Sequence, residues 1–327
     1  MQKIIPNKLQ KGDKIMVVAP ARGLKLIGQD CRKIATERFK AMGLEVVFAP
    51  NTKDENWDMF GSWNAKDRAD DVMYAFKDKS VKAIFTVIGG FNSNQIIELL
   101  DYDVIKQNPK IICGFSDITS LLNAINAKTG LEVYYGPHYS SIGMQKGCEY
   151  TLNYLQKILF SDEAVALEPA MEWSDDLWFI DQEKREFIKN EGYWNIQDGE
   201  AEGTIVGGNL CTFILLLGTA YRPQFKPNTI LFIEDDGSAG NPVEFDRQLQ
   251  ALCYQEDFKN VKGLVIGRFQ KSSEMNREQL EFIIKSKPEL RNIPVLANVD
   301  FGHATPIITI PLGGTATIKN GKIVLKK

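Results

Sequence analysis

Histidine is nearly missing from this 327-residue chain, which has only His138 and His303. The five cysteines (Cys31, Cys113, Cys148, Cys211, Cys253) are scattered and form no Cys-x-x-Cys pair. No His/Cys cluster therefore has the ligand spacing of a zinc site, and none is expected. An odd, unpaired set of cysteines reads as reduced and mostly buried, as in a cytoplasmic protein. No apolar run approaches the ~20 residues of a membrane span, so no membrane partner is expected. The opening residues 1–7 lack the apolar core of a signal peptide. Basic charge is also short: the net charge is −3 and the pI near 5.7. That leaves no field to hold a nucleic-acid backbone. Internal repeats and low-complexity tracts are absent too.

What is present is an alternation of strand and helix patterns, in a length that suggests about two domains. Residues 14–20 read as a buried strand ended by Pro20, and residues 28–42 as a helix closed by Gly43. Residues 45–48 and 82–88 read as further strands, with an amphipathic helix over 66–78 between them. The third strand runs into Gly89-Gly90, and a short helix is expected over 94–100. Alternation of this kind predicts a largely parallel sheet covered by helices, with ligands beyond the carboxyl ends of its strands. Residues 149–160 read as a helix that closes this half.

The composition shifts over residues 161–203. Acidic residues and Trp173, Trp178 and Trp194 are interspersed there without clear periodicity, as in a linker or an elaborated loop insert. Those tryptophans read either as a stacking platform or as the core of the insert, and Trp57 and Trp63 as packed surface aromatics. A second set of strands and helices follows from residue 204. Asn276 to Gln279 has the form of a capping box. Strands at 307–311, 315–318 and 323–326 are expected to finish the chain as a meander. Gly313-Gly314 and Asn320-Gly321 would be its turns.

The chemistry concentrates at residues 110–119, Lys-Ile-Ile-Cys-Gly-Phe-Ser-Asp-Ile-Thr. An apolar strand ends at Gly114, Ser116 follows, and a helical pattern begins at once. A serine at such a turn is pushed out of the fold and onto a helix N-terminus. As a nucleophile it needs a base, and the base needs an orienting acid. His303, in a glycine-flanked loop, is the candidate base. Glu234, at the end of the apolar run 230–233, is the candidate acid, with Asp235 and Asp236 as rivals. Oxyanion donors would be the amide of Asp117 and one from Gly89 or Gly90. Each residue also has a plainer reading. Ser116 could be a helix cap, Glu234 a surface carboxylate and His303 a loop residue; for His138 the plain structural reading is preferred.

Taken together, the residues resemble a known family, the LD-carboxypeptidases (serine peptidase family S66). The likeness runs through 17–20 (Val-Val-Ala-Pro), Gly89-Gly90, 114–117 (Gly-Phe-Ser-Asp), Gly136-Pro137, 207–210 (Gly-Gly-Asn-Leu), 231–235 (Leu-Phe-Ile-Glu-Asp) and Gly302-His303. Residues 261–314 and the tryptophan-bearing segment are most similar to the branch of the microcin C self-immunity peptidase (MccF-like). The resemblance implies an N-terminal parallel-sheet α/β domain (1–160) carrying the nucleophile turn. It implies the insert over 161–203 and a C-terminal domain of swivelling β/β/α type (204–327). A Ser116–His303–Glu234 triad would assemble between the domains, in a homodimer and without a cofactor. The implied substrates are a small peptide, such as a murein tetrapeptide losing its terminal D-Ala, or the aminoacyl-nucleotide amide of processed microcin C. An aminoacyl nucleotide calls for a stacking ring, for which Trp178 is preferred over Trp173 and Trp194. A murein peptide calls for a cation on its carboxylate, for which Arg247 is the candidate. A non-catalytic two-lobed peptide-binding protein is the alternative of another class. An α/β-hydrolase esterase is disfavoured by the β-rich character of the last ~65 residues around His303.

Overall fold

A computed structural model describes residues 2–52 and 58–326; Trp57 lies outside the described residues. Five parallel strands build the first sheet, in the order Glu45–Phe48, Lys14–Val18, Val81–Thr86, Ile111–Gly114 and Val133–Tyr135. The central strands are mostly apolar and almost wholly buried, with Lys14 and the exposed Lys82 near their starts, as a sheet covered on both faces requires. The strand order reverses between Lys14–Val18 and Val81–Thr86. Open sheets of this kind leave a crevice beyond the strand ends at that reversal.

The second sheet has eight strands: Val165–Leu167, Lys322–Lys326, Thr315–Lys319, Ala201–Asn209, Thr229–Glu234, Val261–Gly267, Val295–Val299 and Trp194–Gln197. Its middle four are parallel and its outer pairs antiparallel. Both edge strands come from the segment 161–203, which has too short a regular stretch to show a period. Side chains of Thr229–Glu234 alternate. Ile230 and Phe232 join a core shared with the first sheet, while Leu231 and Ile233 pack under the helices Pro242–Cys253 and Arg277–Lys285. The molecule is thus a parallel-sheet α/β domain with a separate β-rich C-terminal domain, in contact through a common apolar layer.

Three local expectations change. Residues 307–311 do not start a meander. Instead Ile310–Leu312 crosses back and pairs antiparallel with Val133–Tyr135 at the edge of the first sheet. Only Thr315–Lys319 and Lys322–Lys326 form the hairpin, with Asn320 and Gly321 both at positive φ, the twist a two-residue turn needs. Residues 94–100 form two 3₁₀ turns, Ser93–Gln95 and Ile97–Leu99. A further helix, Tyr102–Gln107, is capped by Asp101, whose side chain accepts from Val104 N at 3.0 Å. Its six residues are too few for helical periodicity to register. Trp63 is buried rather than a surface aromatic.

Candidate active site

Ser116 follows the strand Ile111–Gly114 and opens a 3₁₀ turn that runs into the helix Thr119–Thr129. Its φ is +60°, a conformation that non-glycine residues seldom adopt and that surrounding contacts must hold. Two glycines make room. A Cβ on Gly114 would lie 2.3 Å from Thr86 Oγ1, and one on Gly89 would lie 2.8 Å from Ser116 Cβ. Ser116 N donates to the Tyr135 hydroxyl at 3.3 Å.

Glu234 ends the fully buried strand Thr229–Glu234, and its side chain is wholly buried. A buried carboxylate needs hydrogen-bond donors, and here there are two. Tyr135 OH donates to Oε1 at 2.6 Å, and His303 Nδ1 lies 2.9 Å from Oε2. His303 Nε2 in turn lies 2.9 Å from Ser116 Oγ. The three side chains come from sequence positions up to 187 residues apart.

The loop that presents His303 is pinned at several points. Arg268 Nη2 pairs with Asp300 Oδ1 at 2.7 Å inside the protein, and Ala170 N donates to Asp300 Oδ2 at 2.8 Å. Ile308 N donates to Asp300 O at 2.8 Å. Gly302 has φ +103°, and a Cβ there would sit 2.5 Å from Glu234 Oε2. Burial pushes the His303 pKa down, but the charge and hydrogen bond of Glu234, with Asp236 and Asp235 beyond, outweigh it. The net shift is upward from 6.5. An imidazole so held can take a proton from a hydroxyl on one nitrogen while a carboxylate orients the other.

Asp117 is buried, and burial raises its carboxyl pKa despite a 2.7 Å hydrogen bond from Ser93 N. Ser93 Oγ returns a bond to Asp117 O at 2.6 Å, which braces the start of the serine turn. Among the described residues, the amides of Gly89 and Gly90 donate to no protein acceptor.

Sequence reasoning missed Tyr135 and Arg68. Arg68 is fully buried and donates to Pro20 O at 2.7 Å, Asn92 O at 3.1 Å and Gln95 Oε1 at 2.6 Å. It therefore ties together the loops after the first and third strands. Neither residue stood in a pattern that marks function. His138, set aside from sequence, stands beside the serine. Its ring is 4.3 Å from Phe115, and Nδ1 is 2.7 Å from Thr86 Oγ1. Nε2 is buried without a partner among the described residues. Burial, then the neighbouring His303, pushes its pKa down to about 3, so it stays neutral.

The candidate substrate contacts fare differently. Arg247 does not face the serine group; it is exposed on the helix Pro242–Cys253 and pairs with Glu244 at 3.3 Å. Trp194 is a sheet-edge residue whose ring packs on the C-terminal core and whose Nε1 donates to Glu191 Oε1 at 2.8 Å. Trp173 has the Arg268 guanidinium over its ring at 5.2 Å. Trp178 is half-buried against the shared core and meets Phe179 edge-on. Its segment is joined to the His303 loop by a pair of bonds, Ser174 N to Thr305 O and Thr305 N to Ser174 O. Among the described residues, no group of three or more His, Cys, Asp or Glu could hold a metal ion. None of their helices is long and apolar enough to cross a membrane.

An MccF-like protein from Bacillus anthracis str. Ames has a solved structure that is 47% identical. It superposes with a TM-score of 0.96 and covers 99% of both chains. The Microcin C7 self-immunity protein MccF of Escherichia coli is 31% identical over 266 residues, 78% of this chain and 76% of that protein. A structure of MccF in complex with glutamyl sulfamoyl guanosine aligns with a TM-score of 0.88 at 28% identity, over 98% of each chain. The profile of the LD-carboxypeptidase N-terminal domain matches residues 15–136, and that of the LD-carboxypeptidase C-terminal domain matches residues 202–318. On these grounds the chain belongs to the LD-carboxypeptidase family, serine peptidase family S66.

Proposed function

We propose that this chain is a serine peptidase that hydrolyses an amide bond through an acyl-enzyme. Ser116 Oγ attacks the carbonyl while His303 Nε2 takes its proton. Glu234 holds the imidazole tautomer and steadies the imidazolium. The developing oxyanion is received by the amide of Asp117 and by the Gly89–Gly90 turn. His303 then returns its proton to the leaving amine, and water repeats the sequence on the ester. The observation that carries this reading is the unbroken contact line Ser116 Oγ–His303 Nε2 and His303 Nδ1–Glu234 Oε2, each 2.9 Å.

The substrate we favour is an MccF-like one, an aminoacyl-nucleotide amide or a related peptide amide. Its support is the likeness to MccF, solved with an aminoacyl sulfamoyl nucleoside, and the half-buried Trp178 on a segment bonded to the His303 loop. A murein tetrapeptide losing its terminal D-Ala is the second reading, and it rests on the carboxypeptidase family itself. A serine-reactive phosphonate tests the class of protein. Labelling of Ser116, lost in Ser116→Ala, is expected; a non-catalytic binding protein would stay unlabelled. Incubation with an aminoacyl sulfamoyl adenosine and with a murein tetrapeptide then separates the two substrates.

A further inference from the structure

A carboxypeptidase must hold a free carboxylate on the leaving side of the bond it cuts. That carboxylate lies within one residue's span of the attacked carbonyl, about 3–4 Å. Its cation must therefore stand next to the nucleophile, and Arg247 does not. Arg22 does. It follows the first strand, Lys14–Val18, as Gly89–Gly90 follows the neighbouring Val81–Thr86. These two strands flank the reversal of strand order, where the crevice of such a sheet opens.

The Arg22 side chain lies along Gly90. A Cβ on Gly90 would meet Arg22 Cδ at 2.4 Å and Nε at 2.7 Å, so the side chain occupies the space that the glycine leaves. Gly89, one residue away, is the glycine pressed against Ser116. The guanidinium is held from two sides: Nε donates to Phe60 O at 3.2 Å, and the group lies 4.8 Å over the Phe91 ring. Both holds leave its outer nitrogens free. Among the described residues Arg22 has no carboxylate partner and neither Nη has a hydrogen bond. The nearby Asp117 carboxyl feels its charge but is bonded to Ser93 instead. A half-buried, pre-oriented guanidinium with an open fork is the group that binds carboxylates in pairs of parallel bonds.

We propose that Arg22 binds an anion carried next to the leaving nitrogen of the scissile amide, and so selects the leaving group. This deepens the peptidase reading and rests on it. Two sources share the chemistry: the terminal carboxylate of a peptide, and an acidic sulfamoyl or phosphoryl group bonded to the leaving nitrogen.

The test compares wild type, Arg22→Gln and Arg22→Lys on three substrates. These are a murein-type peptide ending in free D-alanine, the same peptide with its C-terminus amidated, and an aminoacyl sulfamoyl adenosine. Arg22→Gln should raise KM for the preferred anionic substrate about 10- to 100-fold, the range of a charged hydrogen-bonded contact. It should leave the amidated peptide unchanged, so the carboxylate-to-amide preference collapses. Arg22→Lys should restore part of the effect. Whichever anionic substrate loses most identifies the source. Ser116→Ala serves as the control and for calorimetric binding of the uncleaved substrates, in which Arg22→Gln should weaken the anionic one by the same factor. If Ser116→Ala still turns over, the peptidase reading fails. If Ser116→Ala is inactive but Arg22→Gln keeps its preference and affinity for the anion, the assignment of Arg22 alone is overturned.

Discussion

At the scale of single residues, the decisive feature is how tightly Glu234 is confined. Its two oxygens are taken by Tyr135 and His303, and Gly302 closes over it. If Ser116 and His303 act as proposed, replacing either by alanine should lower kcat on the order of 10⁶-fold. Glu234→Gln keeps the shape but can hold the wrong tautomer, at a cost of roughly 10⁴-fold. Single-turnover kinetics on folded variants checks both, and retention of full turnover by Ser116→Ala would discard the nucleophile. The pH dependence follows from His303. A base must be neutral, and its pKa is raised above 6.5. Activity should therefore fall as pH drops through that raised value, so the acid limb of kcat/KM lies above the ordinary histidine range. Stability runs the other way. The protonated His303–Glu234 pair contributes fully below the unfolded value, about 6.5, and that contribution fades as pH rises through the folded value. Tyr135→Phe, which frees one Glu234 oxygen, should shift the activity limb. An unmoved pH profile would show that Tyr135 is not coupled to the site.

Among the elements, helix caps and glycine contacts do most of the positioning. The capping box read from sequence at Asn276 and Gln279 is present in full, with Asn276 Oδ1 accepting from Gln279 N at 2.9 Å and Gln279 Oε1 from Asn276 N at 2.8 Å. Asn276→Ala should cost about 1 kcal/mol in denaturant unfolding and leave kcat alone. Gly302→Ala should do the opposite. At φ +103° and 2.5 Å from Glu234 Oε2, an added methyl must displace the carboxylate or the loop. We expect loss of turnover out of proportion to the loss of stability; equal kcat in the two proteins would show that the loop yields freely.

Over the whole molecule, the site exists only because the two sheets are docked. The helix behind Ser116 is stitched to the strand Ala201–Asn209 at two points. Asn123 Nδ2 donates to Gly207 O at 2.8 Å, and Asn209 N donates to Thr119 Oγ1 at 3.0 Å. Asn123→Ala leaves a buried carbonyl unpaired, at a cost of about 1–3 kcal/mol. It should also lower kcat, because Ser116 and Glu234 belong to opposite sides of that contact. A stability loss with unchanged kcat would show that the docking is maintained by the shared apolar core alone.

Much of this was legible in the order of residues. Strand and helix periods, the glycine and asparagine turns and the capping box are local, so neighbouring residues suffice to reveal them. Ser116 at a strand-to-helix turn, Glu234 after an apolar strand and His303 between small residues carried enough local strain or burial to be singled out. Other features had no local signature. The span 307–311 reads as the first strand of a meander, because nothing nearby says that Ile310–Leu312 will cross to another sheet. Trp194 reads as a contact from residue type and its insert, and Arg247 from its charge and its place on the helix after Glu234, but which way a side chain faces is set by what packs beside it. Arg22, Tyr135 and His138 gained their places from strands and loops distant in sequence. Local conformation was therefore written in the sequence itself, while the meeting of Ser116 with His303 and Glu234 was decided by docking of the two sheets, because only long-range packing can bring together side chains as far apart in the chain as Ser116 and His303, 187 residues.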